Sequence, residues 1–503
     1  MSYLQCPKKL WLSKNRKDLK AAVDESQQAI FDQGFVVESY AHKLALFKSP
    51  ASPAHHSDPA VVKDWYSKGR AETQNYIRNN CTTIFQANAM PPDLYCKADI
   101  LHLNPATNKW DLYEVKSSTQ VKDEHIPDLC FQKIALEKDG IPIDRTYLIH
   151  INNEYVRNGE IDSEKLLTIE DLTEQVENQR QITEANIPKA LKIINLADEN
   201  ADELANELAN ENAEKVQIRI GKQCDKPYPC PFKDYCWAYL PEYNIFDLQR
   251  ITKKQINTLQ NLNIQKITDI PDNFTLNKKQ QNQLIATKTG KDIIDNESIT
   301  NTLNQLNYPL YFLDYETYGS AIPLFDGLRP YQQMTFQYSL HIIKGKDKTP
   351  EHYEYLHTDT DIPIPKLLSN LQQQIGPTGT IIVWNKSFEM TRNNEMAQQY
   401  PEYKDFLMSV NNRVYDLMEI FSKQYYISPG FKGSSSIKNV LPILAPHLSY
   451  KELEDIHEGG IASLYWYKHI YSNSPLKDRI TKNMLEYCKL DTLAMVEIWR
   501  KLR

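Results

Sequence analysis

The sequence predicts a multidomain protein of the α/β class, and three observations support this prediction. The chain has 503 residues, which is enough for two or three domains that each bury a core. Residues 94–118 have the pattern of a β-hairpin, and a helix and a further strand at 146–152 follow it. A second group of strands begins at 308–319 and precedes a helix at 478–502. Strands and helices therefore occur together in both halves of the chain.

Composition and charge narrow the classes of protein that this sequence can encode. No stretch is apolar enough to span a bilayer, and the N-terminal residues lack the apolar region of a signal peptide. We therefore expect a cytoplasmic protein without membrane association, whose cysteines are kept reduced. The net charge of −7 argues against a uniformly basic nucleic-acid-binding protein. Segment 198–214 contains seven acidic and no basic residues, so the rest of the chain is close to neutral and nucleic-acid contact requires local basic surfaces.

Helices and a loop are predicted for three further segments of the N-terminal half, and we assign no chemistry to the last of them. Helices are predicted for residues 1–48, and a Pro-, Ser- and His-rich loop is predicted for 49–60. We interpret His55 and His56 in this loop as an exposed pair rather than as metal ligands. Residues 165–218 are predicted to be mostly helical, with a thin apolar stripe and a solvated acidic face.

The predicted hairpin carries side chains that can hold a divalent cation. Asp99 lies in its first strand, and Glu114 and Lys116 lie on one face of its second strand. Gln132 lies in the helix that follows. Two acids and the carbonyl oxygen of Val115 are ligands of the kind that Mg²⁺ prefers. Lys116 can orient water or stabilise charge in a phosphoryl transition state. The alternative interpretation is a surface Glu-x-Lys pair on an ordinary hairpin.

A Pro-rich, aromatic loop contains three evenly spaced cysteines, Cys224, Cys230 and Cys236. Cys6 is the candidate for a fourth ligand, because CPKKLWL is similar in context to CPFKDYCW. Four thiolates that meet would bind an iron–sulfur cluster or zinc. Zinc sites usually show C-x₂₋₄-C pairs, which this sequence lacks, so we favour [4Fe–4S] over zinc and either over unligated thiols. The other cysteines are interpreted as small apolar residues: Cys81, Cys96, Cys130 and Cys488.

Residues 1–240 resemble a RecB-like PD-(D/E)XK nuclease with an iron–sulfur cluster, similar to the CRISPR-associated exonucleases and the AddB-type nuclease. The resemblance rests on Cys6, Asp99, Glu114-Val115-Lys116, Gln132, Cys224, Cys230 and Cys236. It implies DNA cleavage at the hairpin residues and a structural cluster. Family members often place a metal-binding His four residues after a helix Gly; this chain has Glu38 there, which can also be a ligand. Leu136 stands where the Gln motif usually ends in Tyr.

Residues 241–300 are predicted to form short helices rich in Asn, Gln and Lys. Part of this segment resembles one helix-hairpin-helix repeat, in which backbone amides meet phosphate. Asn263 lies near the position of the usual hairpin Gly. A helical linker fits the pattern equally well.

The run YPLYFLDYETYG at 308–319 is predicted to be a buried strand that carries two acids. Asp314 and Glu316 are two residues apart, so they point to the same face, roughly 7 Å apart. Like charges at this distance, next to apolar residues, repel and resist burial. A divalent cation between them would turn the pair into a binding site. The alternative is a strand end with two solvated acids.

Later segments add further acids. A strand at 380–385 is followed by Glu389, and the segment 413–421 contains Asp416. In the C-terminal helix, Tyr487 and Asp491 are one turn apart and share a face. An Asp on an apolar helix face is costly unless it is paired or metal-bound. The alternative is an amphipathic helix that happens to contain an Asp.

Residues 306–503 resemble the DnaQ-like DEDD exonucleases, which belong to the ribonuclease H-like folds. The motifs are LDYET, NKSFE and YCKLD, and the second has Glu389 where those enzymes usually have Asp. The resemblance implies that two Mg²⁺ or Mn²⁺ ions are held by Asp314, Glu316, Glu389 and Asp491. Asp416 is the alternative ligand. Tyr487 would position the attacking water, and single-stranded ends would be cut in the 3′→5′ direction.

The two resemblances together are those of bacterial proteins that fuse both nuclease types. We predict a PD-(D/E)XK domain at 1–240, a helical linker at 241–300 and a ribonuclease H-like mixed-sheet domain at 301–503. The predicted function is metal-dependent hydrolysis of DNA, rather than RNA, at two active sites. Two alternatives stay open. The departures at Glu38, Leu136 and Glu389 favour a nucleic-acid-binding scaffold without catalysis, and no motif shows how a 2′-OH is recognised, so the protein could be an exoribonuclease.

Overall fold

A computed structural model describes residues 1–47, 65–196 and 218–503, which form two compact units. We call Met1–Ala238 with Ser320–Tyr331 the N-terminal unit, and Tyr239–Gly319 with Gln332–Arg503 the C-terminal unit. The predicted loop with His55 and His56 and the acidic segment 198–214 lie outside the described residues. Within those three ranges, no helix combines the length and apolar character needed to cross a bilayer.

The N-terminal unit contains a five-stranded sheet in the part of the chain that the structure describes, with strand order β1-β2-β3-β4-β5. The strands are β1 (Thr83–Ala89), β2 (Cys96–Asn104), β3 (Lys109–Lys116), β4 (Ile143–Ile151) and β5 (Leu167–Asp171). β3 and β4 are parallel, and the other neighbours are antiparallel. The helices are α1 (Ser2–Gln5), α2 (Pro7–Asn15), α3 (Glu25–Ala41), α4 (Trp65–Arg78), α5 (His125–Lys138), α6 (Ser163–Leu166), α7 (Thr173–Ile194) and α8 (Lys233–Trp237).

The predicted hairpin is β2 and β3, which pair with Leu101 opposite Leu112. Side chains alternate between two buried faces of the sheet, as the pleat of a strand requires. Leu101 and Leu112 lie in the core under α5, whereas Ile100 and Tyr113 lie in the core on the side of α3. In the segment predicted to be mostly helical, 165–218, the helix α7 is preceded by the short strand β5, which adds to the sheet edge beside β4.

The C-terminal unit contains a mixed sheet with strand order β11-β10-β7-β8-β9. Its strands are β7 (Leu310–Tyr318), β8 (Met334–Ile343), β9 (Glu351–Leu356), β10 (Thr380–Val383) and β11 (Val414–Asp416), and β6 (Ile293–Ile294) pairs separately with β12 (Tyr426–Ile427). β8 is antiparallel to β7 and β9, and β7, β10 and β11 are parallel. Both units thus combine mixed sheets with helices, which confirms the multidomain α/β class.

The helices of the C-terminal unit fall into a group before the sheet and a group within and after it. The first group is α9 (Lys253–Asn261), α10 (Lys278–Thr289) and α11 (Asn296–Leu303). The second group is α12 (Ile364–Gln374), α13 (Lys386–Gln399), α14 (Lys404–Asn411), α15 (Glu419–Ser422), α16 (Ile437–Leu444), α17 (Gly459–Tyr465) and α18 (Lys477–Leu502). α9 and α10 share a small core of their own, and Asn263 after α9 takes a left-handed φ of 56°.

The helix α18 is anchored across the sheet at three points. Trp499 packs edge-on against Phe312 of β7, with ring centroids 5.8 Å apart. Gln337 of β8 donates from Nε2 to the carbonyl of Met484 at 2.9 Å. Thr492 bonds to Ser339 of β8 at 2.7 Å. These contacts fix which face of α18 lies over β7, and Asp491 lies on that face.

Candidate functional site

Three carboxylates from two elements meet in the C-terminal unit. Asp314 and Glu316 lie on β7, and Asp491 lies on α18. One carboxylate oxygen from each lies within 4.8 Å of the other two. They border a cavity of about 220 Å³. The strand spacing predicts the first pair, and the structure brings the distant Asp491 to it.

Burial and mutual repulsion make this group costly to ionise without a counter-charge. Burial raises the pKa of Asp314 well above its usual value, and the carboxylates of Asp491, Glu316 and Glu389 raise it further. Burial also raises the pKa of Glu316, and it raises the pKa of Asp491 to about 6. Protons or a cation must therefore neutralise the group.

Glu389 lines the same cavity from the first turn of α13 and is 4% exposed. Its Oε2 is buried and has no hydrogen-bond partner among the described residues. Burial raises the pKa of Glu389 to about 8, and the nearby Asp416 adds to the effect. A buried carboxylate oxygen without a donor is costly, and the guanidinium of Arg392 only partly opposes the rise in the pKa of Glu389. The chemistry and placement of the four acids fit a divalent cation that prefers oxygen ligands.

Asp416, the alternative ligand, has a different role in the structure. Its carboxylate accepts hydrogen bonds from the backbone amides of Lys386 at 3.1 Å and Met418 at 3.0 Å. It therefore fixes the start of α13, and it is not in the group of three acids. The structure brings Glu389, rather than Asp416, to the cavity wall.

Two tyrosines lie against Asp491. Tyr487 lies one turn before it on α18, close enough for the Asp491 carboxylate to act on the pKa of its hydroxyl. Tyr450, in a short 3₁₀ turn, donates to Oδ1 of Asp491 at 2.5 Å. Burial and then the Asp491 carboxylate raise the pKa of both tyrosines, so both hydroxyls stay protonated. Sequence analysis missed Tyr450, because no regular spacing connects it with α18.

Two further residues at this site were not predicted. Lys438 of α16 lines the cavity, and its ammonium lowers the pKa of Glu316 and Asp491 against the effect of burial. Its Nζ donates to the carbonyl of His457 at 2.8 Å. Cys488, interpreted from sequence as a small apolar residue, is fully buried and its thiol donates weakly to Asp314 Oδ2 at 3.7 Å.

The predicted residues of the N-terminal unit also lie together. The backbone amide of Val115 donates to Asp99 Oδ2 at 2.8 Å. Lys116 Nζ donates to Glu114 Oε1 at 2.6 Å, and Gln132 Nε2 donates to Glu114 Oε2 at 2.8 Å. Burial raises the pKa of Glu114. Burial alone would lower the pKa of Lys116. The carboxylates of Glu114 and of an acid on α5 outweigh burial, so the pKa of Lys116 is raised.

Two residues that sequence analysis missed complete the contacts of this site. Asp128 of α5 accepts from Lys116 Nζ at 3.2 Å, and its position one turn before Gln132 could have indicated it. Gln86 of β1 donates from Nε2 to Glu38 Oε1 and, at 3.3 Å, to Asp99 Oδ1. Glu38 on α3 therefore reaches the site. Burial is the largest cause that raises the pKa of Asp99, and the carboxylates of Glu114 and Glu38 raise it further.

The N-terminal acids are less tightly gathered than those of the C-terminal unit. In the described ranges, three ligand atoms lie within 4.8 Å of one another in the C-terminal group and in a surface group, but not among these acids. The surface group is His357, Asp359 and Asp361, and Lys366 already pairs with both of its carboxylates. In the N-terminal site, Gln132 Oε1 is buried without a partner among the described residues. This orphan oxygen and the oxygen-rich donor set fit Mg²⁺ or Mn²⁺.

The four predicted cysteine ligands are brought together in the N-terminal unit. Gln5, next to Cys6, donates from Nε2 to the carbonyl of Gln223 at 2.8 Å, next to Cys224. Burial raises the pKa of Cys6, and Cys224 and Cys230 raise it further. Burial raises the pKa of Cys236 to about 11, and the other three thiols contribute. The thiols therefore lie close enough to act on one another.

The spacing of the sulfur atoms bears on the choice between zinc and a cluster. A tetrahedral zinc site with Zn–S of 2.3 Å places its sulfurs about 3.8 Å apart. In the parts of the chain that the structure covers, no three cysteine sulfurs lie within 4.8 Å of one another. The sulfur atoms are therefore not gathered as closely as those of an occupied zinc site.

Parts of this chain are similar to a domain and to proteins without an assigned role. The model of a domain of unknown function, DUF2779, matches residues 311–436. Over 217 residues, 39% of this chain and 32% of the relative, the chain is 28% identical to the uncharacterized protein MG366 of Mycoplasma genitalium. It is also 28% identical over 212 residues, 37% of this chain and 30% of the relative, to the uncharacterized protein UU173 of Ureaplasma parvum. The matched region spans about a third of the length of these relatives. No solved structure gives a significant match.

Proposed function

We propose that this protein is a divalent-metal-dependent nuclease with one active site in each unit, as the resemblance to fused RecB-like and DnaQ-like nucleases implies. The observation that carries the proposal is the meeting of Asp314, Glu316 and Asp491 around a cavity whose wall holds the unpaired oxygen of Glu389. The mixed sheets of both units support the expected PD-(D/E)XK and ribonuclease H-like folds.

In the C-terminal unit, Asp314, Glu316, Glu389 and Asp491 would hold the cations. Bound Mg²⁺ or Mn²⁺ would supply the positive charge that activates a water molecule and neutralises the leaving oxygen in phosphodiester hydrolysis. Tyr450 fixes the orientation of Asp491 through its hydroxyl. Tyr487 is the group proposed to position the water. Lys438 presents a cation at the cavity wall, where it can meet a phosphate oxygen.

In the N-terminal unit, Asp99, Glu114, Glu38 and the carbonyl of Val115 would hold the cation. Lys116 is fixed between Glu114 and Asp128, from where it can orient a water molecule or stabilise charge on the phosphate. Gln132 fixes the second oxygen of Glu114.

The four cysteines are proposed to hold a [4Fe–4S] cluster with a structural role. Cys6 lies at the start of the N-terminal unit and Cys224, Cys230 and Cys236 lie at its end. A cluster bound by all four would connect these ends covalently. No redox partner group accompanies the cysteines in the sequence, so we assign the cluster no electron transfer.

The substrate proposed is DNA, at single strands or ends, with 3′→5′ cleavage in the C-terminal site. Glu389 and Glu38 stand where the resembling nucleases usually have other ligands. Because Glu389 lines the cavity and Glu38 contacts the N-terminal site, both positions support cation binding. Leu136 is fully buried in the core under the sheet, so its position is outside the group of polar side chains. The exoribonuclease alternative is decided by the substrate test below.

The test is digestion of end-labelled single- and double-stranded DNA and RNA by the full chain, purified anaerobically, with Mg²⁺ or Mn²⁺. In a Lys116→Met background, we expect Asp314→Asn to slow degradation from the 3′ end by about 100-fold or more, because a cation ligand is lost. Asp359→Asn, an exposed acid of the same unit paired with Lys366, is the matched control and should not change the rate.

Equal digestion by the Asp314→Asn and Asp359→Asn variants would refute the C-terminal assignment. Activity that persists in EDTA would refute the metal dependence of both sites. A scaffold without catalysis would bind the labelled strands, leave them intact and bind Mn²⁺ poorly.

A further inference from the structure

Gln86 lies at a strained point in the interior of β1. Its φ is 55°, in the left-handed region that residues other than glycine seldom adopt. Gln86 is left out of the pairing with β2, although its neighbours are paired: Phe85 is opposite Ile100 and Ala87 is opposite Ala98. A residue is held in this way only when its surroundings fix it, and such residues concentrate at functional sites.

The strained backbone places the Gln86 amide between two carboxylates from different elements. Nε2 donates to Glu38 Oε1 of α3 and to Asp99 Oδ1 of β2, the latter at 3.3 Å. The second oxygen of Asp99 is fixed by the backbone amide of Val115 at 2.8 Å. A cation that joins Glu38 and Asp99 must therefore take the place of this NH₂ group.

A second observation at the same site is a buried acceptor without a donor. Gln132 is 6% exposed, and its Nε2 donates to Glu114. Its Oε1 is buried and has no hydrogen-bond partner within the described residues. A buried amide oxygen without a donor is unfavourable unless a ligand meets it.

We propose that Gln86 is a cation ligand of the N-terminal site. Without a cation, its NH₂ group joins Glu38 and Asp99; with a cation, the amide rotates and its Oε1 enters the ligand set. Amide oxygens are ligands that Mg²⁺ and Mn²⁺ accept, and the rotation exchanges a donor for an acceptor at the same point. This inference rests on the function proposed for the N-terminal site.

The experiment measures Mn²⁺ binding by electron paramagnetic resonance of the free ion, in the full chain with Asp314→Asn and Asp491→Asn. These two changes remove ligands of the C-terminal site, so the N-terminal site is measured. We expect Gln86→Met to weaken binding about tenfold or more, and Gln86→Glu to bind at least as tightly as the parent. Gln28→Met is the matched control, because the exposed Gln28 amide donates to the single carboxylate of Asp32 at 2.8 Å.

A purely structural role for Gln86 gives the opposite result. If its amide only holds the two carboxylates together, Gln86→Met leaves Mn²⁺ affinity unchanged or raises it, because the cation no longer displaces a donor. Either outcome overturns the proposal. Gln86→Gly relieves the left-handed strain while removing the amide, so it should bind as weakly as Gln86→Met, and parental affinity in this variant also overturns the proposal.

Two readouts separate this inference from the function on which it rests. Equal iron content in all variants shows that the N-terminal unit is intact. If the parent binds Mn²⁺, Glu114→Gln loses this binding and Gln86→Met keeps it, only the role proposed for Gln86 is refuted. No Mn²⁺ binding by the parent overturns the proposed function of the site and this inference with it.

Discussion

At the scale of single residues, the two candidate sites balance their acids in different ways. In the N-terminal unit, Glu114 is paired with Lys116 and with an amide, so hydrogen bonds already offset much of its charge. In the C-terminal unit, Asp491 accepts from Tyr450, but Glu389 Oε2 has no donor among the described residues. The C-terminal acids therefore depend more on protons or cations for their neutralisation.

This difference predicts how stability depends on pH when no cation is bound. Burial raises the pKa of Glu389 to about 8 and that of Asp491 to about 6, so the folded state holds protons that the unfolded state releases at lower pH. Stability contributed by these groups is then lost as the pH rises from about 5 to about 8. We expect the melting temperature in EDTA to be several degrees lower at pH 8.5 than at pH 5.5, and Mn²⁺ to reduce the difference.

Glu389→Gln is the control for that measurement, because it removes the group with the highest of these pKa values. Its melting temperature should fall less between the two pH values. A fall equal to that of the parent would show that Glu389 is not the source of the pH dependence.

At the scale of elements, the C-terminal site depends on how α18 crosses the sheet. Asp314 and Glu316 are fixed by their strand, whereas Asp491 reaches them only if the helix has the correct rotation. Thr492, the residue after Asp491, bonds to Ser339 at 2.7 Å and to His341 Nδ1 at 2.8 Å. These buried bonds therefore set the rotation of α18 at the point where the acid is needed.

Thr492→Val keeps the shape of the side chain and removes its hydroxyl. Because Ser339 and His341 lose a buried partner, we expect a loss of about 1–3 kcal/mol of stability and weaker Mn²⁺ binding by the C-terminal site. The measurements are the urea midpoint of the C-terminal unit and Mn²⁺ binding in the Lys116→Met background.

Thr391→Val in α13 is the matched change, since the hydroxyl of Thr391 is exposed and donates within its own helix to the carbonyl of Ser387 at 2.6 Å. It should change the midpoint little. Equal midpoints for the two variants would contradict the role assigned to Thr492.

At the scale of the whole molecule, each unit gathers residues from distant parts of the chain. The N-terminal unit includes Ser320–Tyr331, and the backbone amide of Arg157 donates to the carbonyl of Leu328 at 3.0 Å in that segment. Its first residues also contact the segment that contains Cys224, since Gln5 donates to the carbonyl of Gln223. A cluster at the cysteines would therefore stabilise the unit by restricting the unfolded chain, as other covalent cross-links do.

Cys230→Ser removes one of the four proposed cluster ligands. We expect the brown colour, the absorption near 400 nm and most of the iron to be lost, and the N-terminal unit to unfold at a lower temperature. Cys81→Ser, at a partly buried cysteine outside the group, is the control. Unchanged iron content in Cys230→Ser would rule out the cluster, and stoichiometric zinc in the parent would replace it with a zinc site.

Local periodicity in the sequence was sufficient for several features of this protein. It predicted the α/β class, the hairpin of β2 and β3, the strand β7 with two acids on one face, and the helical turn that joins Tyr487 to Asp491. These features follow from the repeat of a strand or a helix, which depends on neighbouring residues alone.

Only the tertiary structure decided which distant residues complete the sites. Tyr450, Lys438, Gln86 and Asp128 have no regular spacing to the motifs that they contact, except for the single turn between Asp128 and Gln132. Likewise, Glu389 rather than Asp416 reaches the cavity because the backbone amides after β10 and β11 occupy the Asp416 carboxylate. The physical reason is that periodicity fixes the face on which a side chain lies, whereas strand register and helix crossing fix which faces meet.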